Sequence, residues 1–425
     1  MAQEPLTTGA ANTIDTLNGM FKEVYADKIE NLIPDGVKLY NMIPFNKESK
    51  ALGNLYHQPV VLGLEHGITY GGPNGDAFAL NSSVAGVMKD AQVQGYEMVL
   101  RSVLSVGAAS RSLNGQASFE KSTKHLVANM LRSFSRRLEV QLLYGKAGIG
   151  DVESVDGQTL YIKDKTWAPG VWSGAEGMLV DIYASDKTTL KLADVKIDSV
   201  SFDKRSITAA AGTDLVTPGI AADDVFFYKG ANGNEFDGID TIIRNTGTLF
   251  NISAASYNLW KGNVKEAGDT DISFKTITET VTRLVEKGLA DQDVVCFINP
   301  VQFDVLLAEQ DARRIHDSSY SEKEAKAGAK EIMFHSQNGA IKIVSSIYVK
   351  AGSAYILCMD EFMRVGSSDI TFKQPGFEGE FFRILNDSNG YELRAYTDQA
   401  LFCSAPGKNA VIDDLKVVDS AITIP

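Results

Sequence analysis

The sequence lacks the motifs that mark most enzymes. Its 425 residues contain no GxxxxGK[ST] phosphate-binding loop, no HExxH zinc motif and no GxSxG nucleophile turn. None of the five histidines lies within four residues of another, so no local pair is spaced to hold a metal. The glycine-rich GKAGIG at 145–150 follows a predicted helix, whereas a dinucleotide site needs a preceding strand. We therefore expect no catalytic residue, no metal and no cofactor.

Cysteine and long apolar runs are also scarce. Cys296, Cys358 and Cys403 each stand alone in an apolar stretch, which predicts buried, reduced thiols and neither a zinc site nor a disulfide framework. No run approaches 18 apolar residues, so no transmembrane helix is predicted. The first residues lack the basic and apolar regions of a signal peptide. These features predict a protein that stays in the cytoplasm until it assembles.

The charge is acidic and dispersed. A formal net charge of -13 without a dense Lys/Arg run argues against a protein that grips nucleic acid through phosphate contacts. A container that holds DNA by enclosure is compatible with this charge. The composition, 44% hydrophobic and 22% charged, is that of a globular protein, and the length suggests about two to four structural units.

The first hundred residues predict an arm and a long hairpin. Residues 1–50 have weak periodicity and suit an extended arm on a neighbour. In residues 51–105, the strand-like limbs LYHQPVVLGL and DAQVQGYEMVLRSVLSVG flank the turn-rich YGGPNGDAFALNSSVAG. Because isolated two-stranded ribbons are marginally stable, we expect a neighbouring subunit to cover this hairpin.

A long helix is predicted over residues 118–144, with Ser118 as its N-cap and Gly145 as its stop. At 1.5 Å per residue it would be about 40 Å long. Its apolar stripe repeats every four residues: Leu126, Met130, Phe134, Leu138 and Leu142.

The rest of the chain alternates between β and α/β patterns. Short β-type runs at 150–230, with turn signals between them, predict an inserted antiparallel sandwich or barrel. From about 270 we expect a helix that ends at Gly288, the buried strand VVCFIN, and a helix with Asn299 as cap and Pro300 at its first position. Further β-strands close the chain.

This order of elements resembles the major capsid protein of tailed bacteriophages, which has the Hong Kong 97-type fold. The stretch GNEFDGIDTIIRNTGTLFNISAASYNLWKGNV, with Tyr257 and Trp260, is similar to a segment of such coat proteins. CFINPVQFDVLLAEQD and YELRAYTDQALFCSAPG are similar to their capped helix and closing strand. The resemblance covers residues 10–412, but no single motif is a strong signature.

The resemblance implies an α+β capsid fold with named parts. These are an N-terminal arm (1–50), an E-loop hairpin (51–105), a P-domain spine helix (106–149), an inserted β domain (150–230), an A-domain (231–360), returning P-domain strands (361–412) and a C-terminal tail (413–425).

The resemblance further implies a coat protein that self-assembles through hexamers and pentamers into an icosahedral shell around double-stranded DNA. Scaffolding, portal and decoration proteins are further candidate partners, and no membrane is involved. The expected location is the virion, after assembly in the host bacterial cytoplasm. An encapsulin-like nanocompartment shell, a β-rich tail or surface-binding protein, and a hydrolase with a non-local site are the alternatives.

Five residues are the candidates for subunit contact. Phe21 and Tyr25 lie in the arm, and Tyr70, Phe78 and Leu80 lie at the hairpin tip. The other interpretation of each is a small satellite cluster within its own subunit.

Overall fold

The computed structural model describes most of the chain. The described residues are 36–46, 55–75, 77–105, 116–290, 292–315, 331–373, 382–385 and 389–417, with the backbone alone at 116–125, 310–315, 331 and 335. The helices within them are α1 (Leu39–Met42), α2 (Gln116–Tyr144), α3 (Pro169–Trp172), α4 (Ile239–Arg244), α5 (Phe274–Glu286) and α6 (Pro300–Ile315).

The strands of the described residues form small sheets, a larger mixed sheet and a barrel. They are β1 (Leu55–Gly63), β2 (Val87–Gln94), β3 (Tyr96–Ser105), β4 (Gly150–Asp156), β5 (Thr159–Ile162), β6 (Leu179–Tyr183), β7 (Leu190–Ser201), β8 (Ser206–Ala209), β9 (Val225–Tyr228), β10 (Thr248–Leu249), β11 (Ile252–Ser253), β12 (Asn263–Thr270), β13 (Val294–Ile298), β14 (Glu331–Ser336), β15 (Gly339–Ser345), β16 (Ala354–Leu357), β17 (Phe362–Thr371), β18 (Arg383–Ile384), β19 (Gly390–Cys403) and β20 (Ala410–Leu415).

The long helix α2 is present, but its predicted N-cap is wrong. The helix begins at Gln116, so Ser118 lies inside its first turn, because glutamine and alanine at the two preceding positions tolerate helical backbone well. It ends at Tyr144, where the Gly145 N–H donates to the Gln141 carbonyl over 2.8 Å. A side chain on Gly145 would collide with the Phe236 carbonyl oxygen, which explains the glycine at this stop.

The predicted hairpin is only half correct. β2 pairs antiparallel with β1, but β3 pairs along its whole length with β19, from Tyr96 opposite Gln399 to Ser105 opposite Gly390. The two strands separate at Gly95, where any Cβ atom would collide with the Asp398 carboxylate. The second limb therefore belongs to two sheets. Its first strand, β2, pairs with β1, and its second strand, β3, pairs with β19.

A mixed six-stranded sheet forms a second core with α5 and α6. Ser273 caps α5, since its Oγ accepts the Thr276 N–H at 3.1 Å. Asn299 caps α6 as predicted, because its Oδ1 accepts the Val301 N–H at 3.0 Å. The C-terminal tail predicted from residue 413 begins later, because β20 runs to Leu415 and pairs with β12 and β16.

The β-type runs at 150–230 form a closed barrel in the order β4-β5-β8-β7-β6-β9. The barrel is fixed to the rest of the protein and shares one hydrophobic core with it. The Gly170 N–H donates to the Ile347 carbonyl and the Gly352 N–H donates to the Lys165 carbonyl, each over 2.8 Å. Because these backbone bonds tie the connection between β5 and β6 to residues 347–352, the barrel is not a loosely tethered module.

The three free cysteines are buried, as predicted. Burial raises the pKa of the Cys296 thiol to about 12 and that of Cys358 to about 11. The Cys403 thiol is also shifted upward, because burial raises its pKa. Thiolate is the reactive form, so these protonated cysteine thiols are unreactive in the folded protein.

We expect a small thiol reagent at pH 8 to label no cysteine in the folded protein and all three in denaturant. The reason is that each thiol is both shielded and protonated. Counting the released chromophore gives the labelled fraction directly. Rapid labelling of the native protein would contradict this account of the core.

Replacing Gly170 by alanine should loosen the barrel from the body. The new Cβ would lie 2.8 Å from side-chain atoms of Ile347 and Tyr348, closer than packed atoms allow. We expect a loss of about 1–3 kcal/mol in the free energy of unfolding, measured by urea denaturation of the purified protein. Gly247→Ala is the matched control, because only one side-chain atom lies within 4 Å of that position. An equal effect of both variants would count against a tight contact at Gly170.

Candidate assembly surface

A long two-stranded ribbon is the most exposed feature of the described chain. β1 and β2 pair from Leu55 opposite Gln94 to Gly63 opposite Val87. Beyond them the pairing continues in the same register, because the His66 N–H donates to the Val84 carbonyl over 3.0 Å. Counting from residue 55 to about residue 72, at about 3.3 Å per residue, the ribbon is about 55 Å long.

The outer part of the ribbon is held by side-chain bonds where strand ladders are absent. The backbone N–H of Asn81 donates to Thr69 Oγ1 at 2.8 Å, and its Nδ2 donates to the Ile68 carbonyl at 2.9 Å. A Cβ on Gly71 would lie 2.6 Å from the Phe78 ring, so the limbs still touch at the tip. Residues 64–71 and 78–86 therefore extend the ribbon beyond β1 and β2.

The root of the ribbon lies on the subunit core. Ala91 and Val93 of β2 are buried, and Tyr56 packs edge-on against Phe402 with ring centroids 5.7 Å apart. The Gln92 N–H also donates to the Phe250 carbonyl over 3.0 Å. These contacts fix the direction in which the ribbon leaves the body.

The three predicted contact residues at the tip are all exposed on this ribbon. Tyr70 is 87% exposed, Leu80 81% and Phe78 54%. No element of the described chain forms a satellite core over them. Phe21 and Tyr25, the candidates in the arm, lie outside the described residues.

Further apolar side chains extend the exposed surface, and the sequence prediction missed them. They are Val61, Leu64, Ile68, Val84 and Met88. The available signal was the even spacing of the large apolar residues, at positions 64, 68 and 70 on one limb and at 80 and 84 on the other. With the three tip residues they leave on the order of 1,000 Å² of apolar surface in water, whereas a monomer usually exposes patches of a few hundred Å².

A buried carboxylate holds the segment that precedes the ribbon. Glu139 of α2 is fully buried, and its two oxygens accept the backbone N–H groups of Lys38, Leu39 and Tyr40 at 3.1, 2.9 and 2.7 Å. Burial raises the pKa of Glu139, while these three donors act in the opposite direction. The Glu139 carboxylate thus accepts hydrogen bonds from backbone N–H groups at the N-terminus of α1, which have no partner within the helix.

A buried arginine holds the other end of the same segment. Arg364 of β17 donates through Nε to the Ile43 carbonyl at 3.0 Å and pairs with Asp369 at 2.8 Å. Its guanidinium carbon lies 4.2 Å from the centre of the Tyr40 ring. Together with Glu139, it fixes residues 38–46 between the long helix and the β17–β19 sheet.

A groove of about 840 Å³ opens between β3, α2 and the barrel. Within it the Arg137 guanidinium lies 3.2 Å from the centre of the Tyr228 ring, and burial raises the pKa of the Glu235 carboxyl. Neither histidine nor cysteine lines the groove.

In the part of the chain that the structure describes, His, Cys, Asp and Glu form no cluster of three that could hold a metal ion. The same residues include no helix long and apolar enough to cross a membrane.

Comparison with solved structures identifies the fold. The chain is similar to the subunit in the capsid asymmetric unit of cyanophage A-1(L), with 13% identity, 95% of this chain and 98% of that chain covered, and a TM-score of 0.52. The resemblance to tailed-phage capsid proteins is therefore confirmed at the level of the fold, a mixed helix and sheet architecture. No protein-family model and no curated protein matches the chain.

Two further likenesses have TM-scores below 0.5. The capsid of a native GTA particle is 8% identical over 96% of this chain and 100% of that chain, with a TM-score of 0.47. The holo-SrpI encapsulin complex of Synechococcus elongatus PCC 7942 is also 8% identical, over 94% of each chain, with a TM-score of 0.45.

Replacing Glu139 by glutamine should destabilise the subunit strongly. The amide offers one acceptor oxygen where the carboxylate offers two, so an N–H of the segment would face an NH₂ group. We expect a loss of about 2–4 kcal/mol in unfolding free energy, measured by urea denaturation of unassembled protein. Glu153→Gln, at an exposed position on β4, is the control and should change stability by less than about 0.5 kcal/mol. Equal stability of the two variants would show that the carboxylate anchors nothing.

Proposed function

We propose that this chain is the major capsid protein of a tailed bacteriophage, a subunit that self-assembles into the icosahedral shell enclosing double-stranded DNA. The observation that carries the proposal is the uncovered apolar ribbon on a body with the fold of a cyanophage capsid subunit. A protein that worked alone would gain nothing from leaving this surface in water. The role is structural and involves no catalytic step.

The parts of the capsid fold are assigned as follows. The ribbon at 55–94 is the E-loop, α2 is the spine helix, and the β17–β19 sheet with β3 completes the P-domain. The six-stranded sheet with α5 and α6 is the A-domain, and the closed barrel is an insertion between spine helix and A-domain.

We propose rings as the first product of assembly. In this proposal the ribbon binds a different patch of the neighbouring subunit, so the contact between subunits is head-to-tail. Head-to-tail contacts close into rings when the rotation between subunits allows it. Hexamers and pentamers are the rings from which an icosahedral shell is built, and obligate contacts of this kind commonly bury about 2,000 Å² or more.

The remaining partners follow from the same role. Scaffolding, portal and decoration proteins would act during or after assembly in the host cytoplasm. The acidic chain, with a net charge of -13, would enclose DNA without sequence-specific binding. The barrel, because it is fixed to the body, would add thickness to the shell wall at a defined position.

We expect the purified protein to form closed shells tens of nanometres across, or rings of five and six subunits. Size-exclusion chromatography with negative-stain electron microscopy measures this. A stable monomer or dimer under conditions that promote assembly would contradict the proposal and favour a tail protein or a hydrolase. A screen of ester and phosphate substrates would then test the hydrolase.

The contents of the shells separate the two shell functions. Particles purified from infected or expressing cells that contain DNA support the phage capsid. Particles filled with a protein cargo would show an encapsulin-like nanocompartment.

A further inference from the structure

The groove between β3, α2 and the barrel contains an arginine without an anionic partner. Arg137 of α2 stacks on the Tyr228 ring, with its guanidinium carbon 3.2 Å from the ring centre. Within the described residues it forms no ion pair, and its guanidinium donates only one hydrogen bond, to Met178 Sδ over 3.8 Å. A guanidinium carries five N–H donors and keeps its charge in proteins. The stack on Tyr228 thus explains the position of Arg137 but leaves most of its donors unused.

Beside this arginine lies an acceptor without a donor. Gln141 follows Arg137 by four residues on α2, so the two side chains are neighbours on one face of the helix. Gln141 is only 7% exposed and lines the same groove, yet its Oε1 atom accepts no hydrogen bond from the described residues. Buried polar atoms nearly always have a partner, because an unpaired one has lost its hydrogen bond to water. The groove therefore holds unused donors next to an unused acceptor.

The other charged groups of the groove do not satisfy Arg137. Its charged lining consists of three cations and two carboxyl groups: Arg101, Arg137, Lys229, Glu97 and Glu235. The two other cations each have a carboxylate within 3.0 Å. The Glu235 carboxyl is occupied by the Lys146 N–H, which donates to its Oε2 over 3.1 Å, and burial raises its pKa and so favours its neutral form. An external anion would complete the pairing that the chain leaves open.

The groove has the dimensions of a binding site. Its volume of about 840 Å³ lies in the range of about 300–1,000 Å³ that is usual for ligand sites. A second cavity of about 380 Å³ adjoins it, and Arg137, Met178 and Tyr228 line both. Val99, which is 51% exposed, and Leu179 add apolar surface to the larger one. A small ion would fill little of this space, whereas an extended peptide could pass from one cavity to the other over the arginine–tyrosine stack.

We propose that this groove binds a peptide segment of another protein, which presents an aspartate or glutamate side chain to Arg137 and a backbone N–H to Gln141. An arginine–carboxylate pair is charge-assisted and bidentate, so it uses the donors that the stack leaves free. Every residue of a peptide other than proline carries the N–H donor that the Gln141 oxygen lacks. Apolar residues beside the acidic one would pack on Val99 and Leu179. The site lies within one chain, so the inference does not depend on the proposed shell function.

Titration calorimetry of the purified protein with two blocked peptides tests the proposal. The peptide Ala-Leu-Glu-Leu-Ala, acetylated and amidated at its ends, carries one carboxylate, and Ala-Leu-Gln-Leu-Ala with the same ends is its neutral match. We expect the Glu peptide to bind at least about tenfold more tightly than the Gln peptide, because only a carboxylate forms an ion pair with the guanidinium. Equal affinities, or no binding of either peptide, would overturn the proposal.

Two variants assign the binding to the groove. Gln141→Glu places a carboxylate four residues from Arg137 on the same helix face, so it should pair with the guanidinium from within the chain. Arg137→Met removes the charge but keeps an unbranched side chain against the Tyr228 ring. We expect each variant to weaken binding of the Glu peptide at least about tenfold. The control Gln337→Glu, at an exposed turn between β14 and β15, should change it less than about twofold.

The remaining outcomes concern the place and the ligand. Wild-type affinity in the two groove variants would show that the peptide binds elsewhere. Inorganic phosphate, added at the concentration of the peptide, should not compete with it, and competition would indicate a site for a free anion in place of a peptide. Thermal unfolding checks that each variant folds, and if one of them does not, the other decides.

Discussion

The buried carboxylate of Glu139 is the contact on which the arrangement of the subunit depends. An ionised group inside a protein costs several kcal/mol unless hydrogen bonds replace its water, and here three backbone N–H groups at residues 38–40 do so. Because the donors belong to the backbone, the segment must occupy one position for the charge to be satisfied. Arg364 then binds the far end of that segment and connects it to β17. The long helix, the segment and the β17–β19 sheet are thus held as one unit.

That unit also determines where the ribbon points. β19 pairs with β17 on one side and with β3 on the other, and β3 follows the ribbon after a single residue, Gly95. The ribbon is therefore joined to a strand that the sheet holds along its whole length. A projection attached in this way loses little conformational freedom on binding, which lowers the entropic cost of association. Its exposed apolar side chains would otherwise be a liability for aggregation, and a fixed direction limits which surfaces they meet.

Local signals made much of the fold predictable from sequence. The apolar stripe of α2, the cap at Asn299 and the alternation in the barrel strands each involve residues close in the chain, and each is present. The failures are long-range. The separation at Gly95 depends on the distant Asp398, and the docking of the barrel depends on residues 347–352, so no local pattern could reveal them. Glu139 reads as one more helical glutamate until the structure shows its burial. At the tip, the exposed aromatic residues were predictable, but the face they share was not, because it depends on the bulge.

The bulge between Val61 and Gly63 makes one ribbon serve two surfaces. In a regular ribbon, every second side chain of a strand lies on the same face. Without a bulge, β1 could move its apolar side chains from one face to the other only if the spacing of the apolar residues in the sequence changed. On β1, the extra residue of the bulge moves the later apolar side chains to the other face. β2 has no bulge: its apolar residues Ala91 and Val93 lie on the inner face, which packs on the core, and its apolar residues Met88 and Val84 lie on the opposite, outer face. The root can then be buried in its own subunit, since the core needs its inner face. The outer part remains free for a surface that the isolated chain does not contain, so in the proposed shell the completion of the fold and assembly are the same physical step.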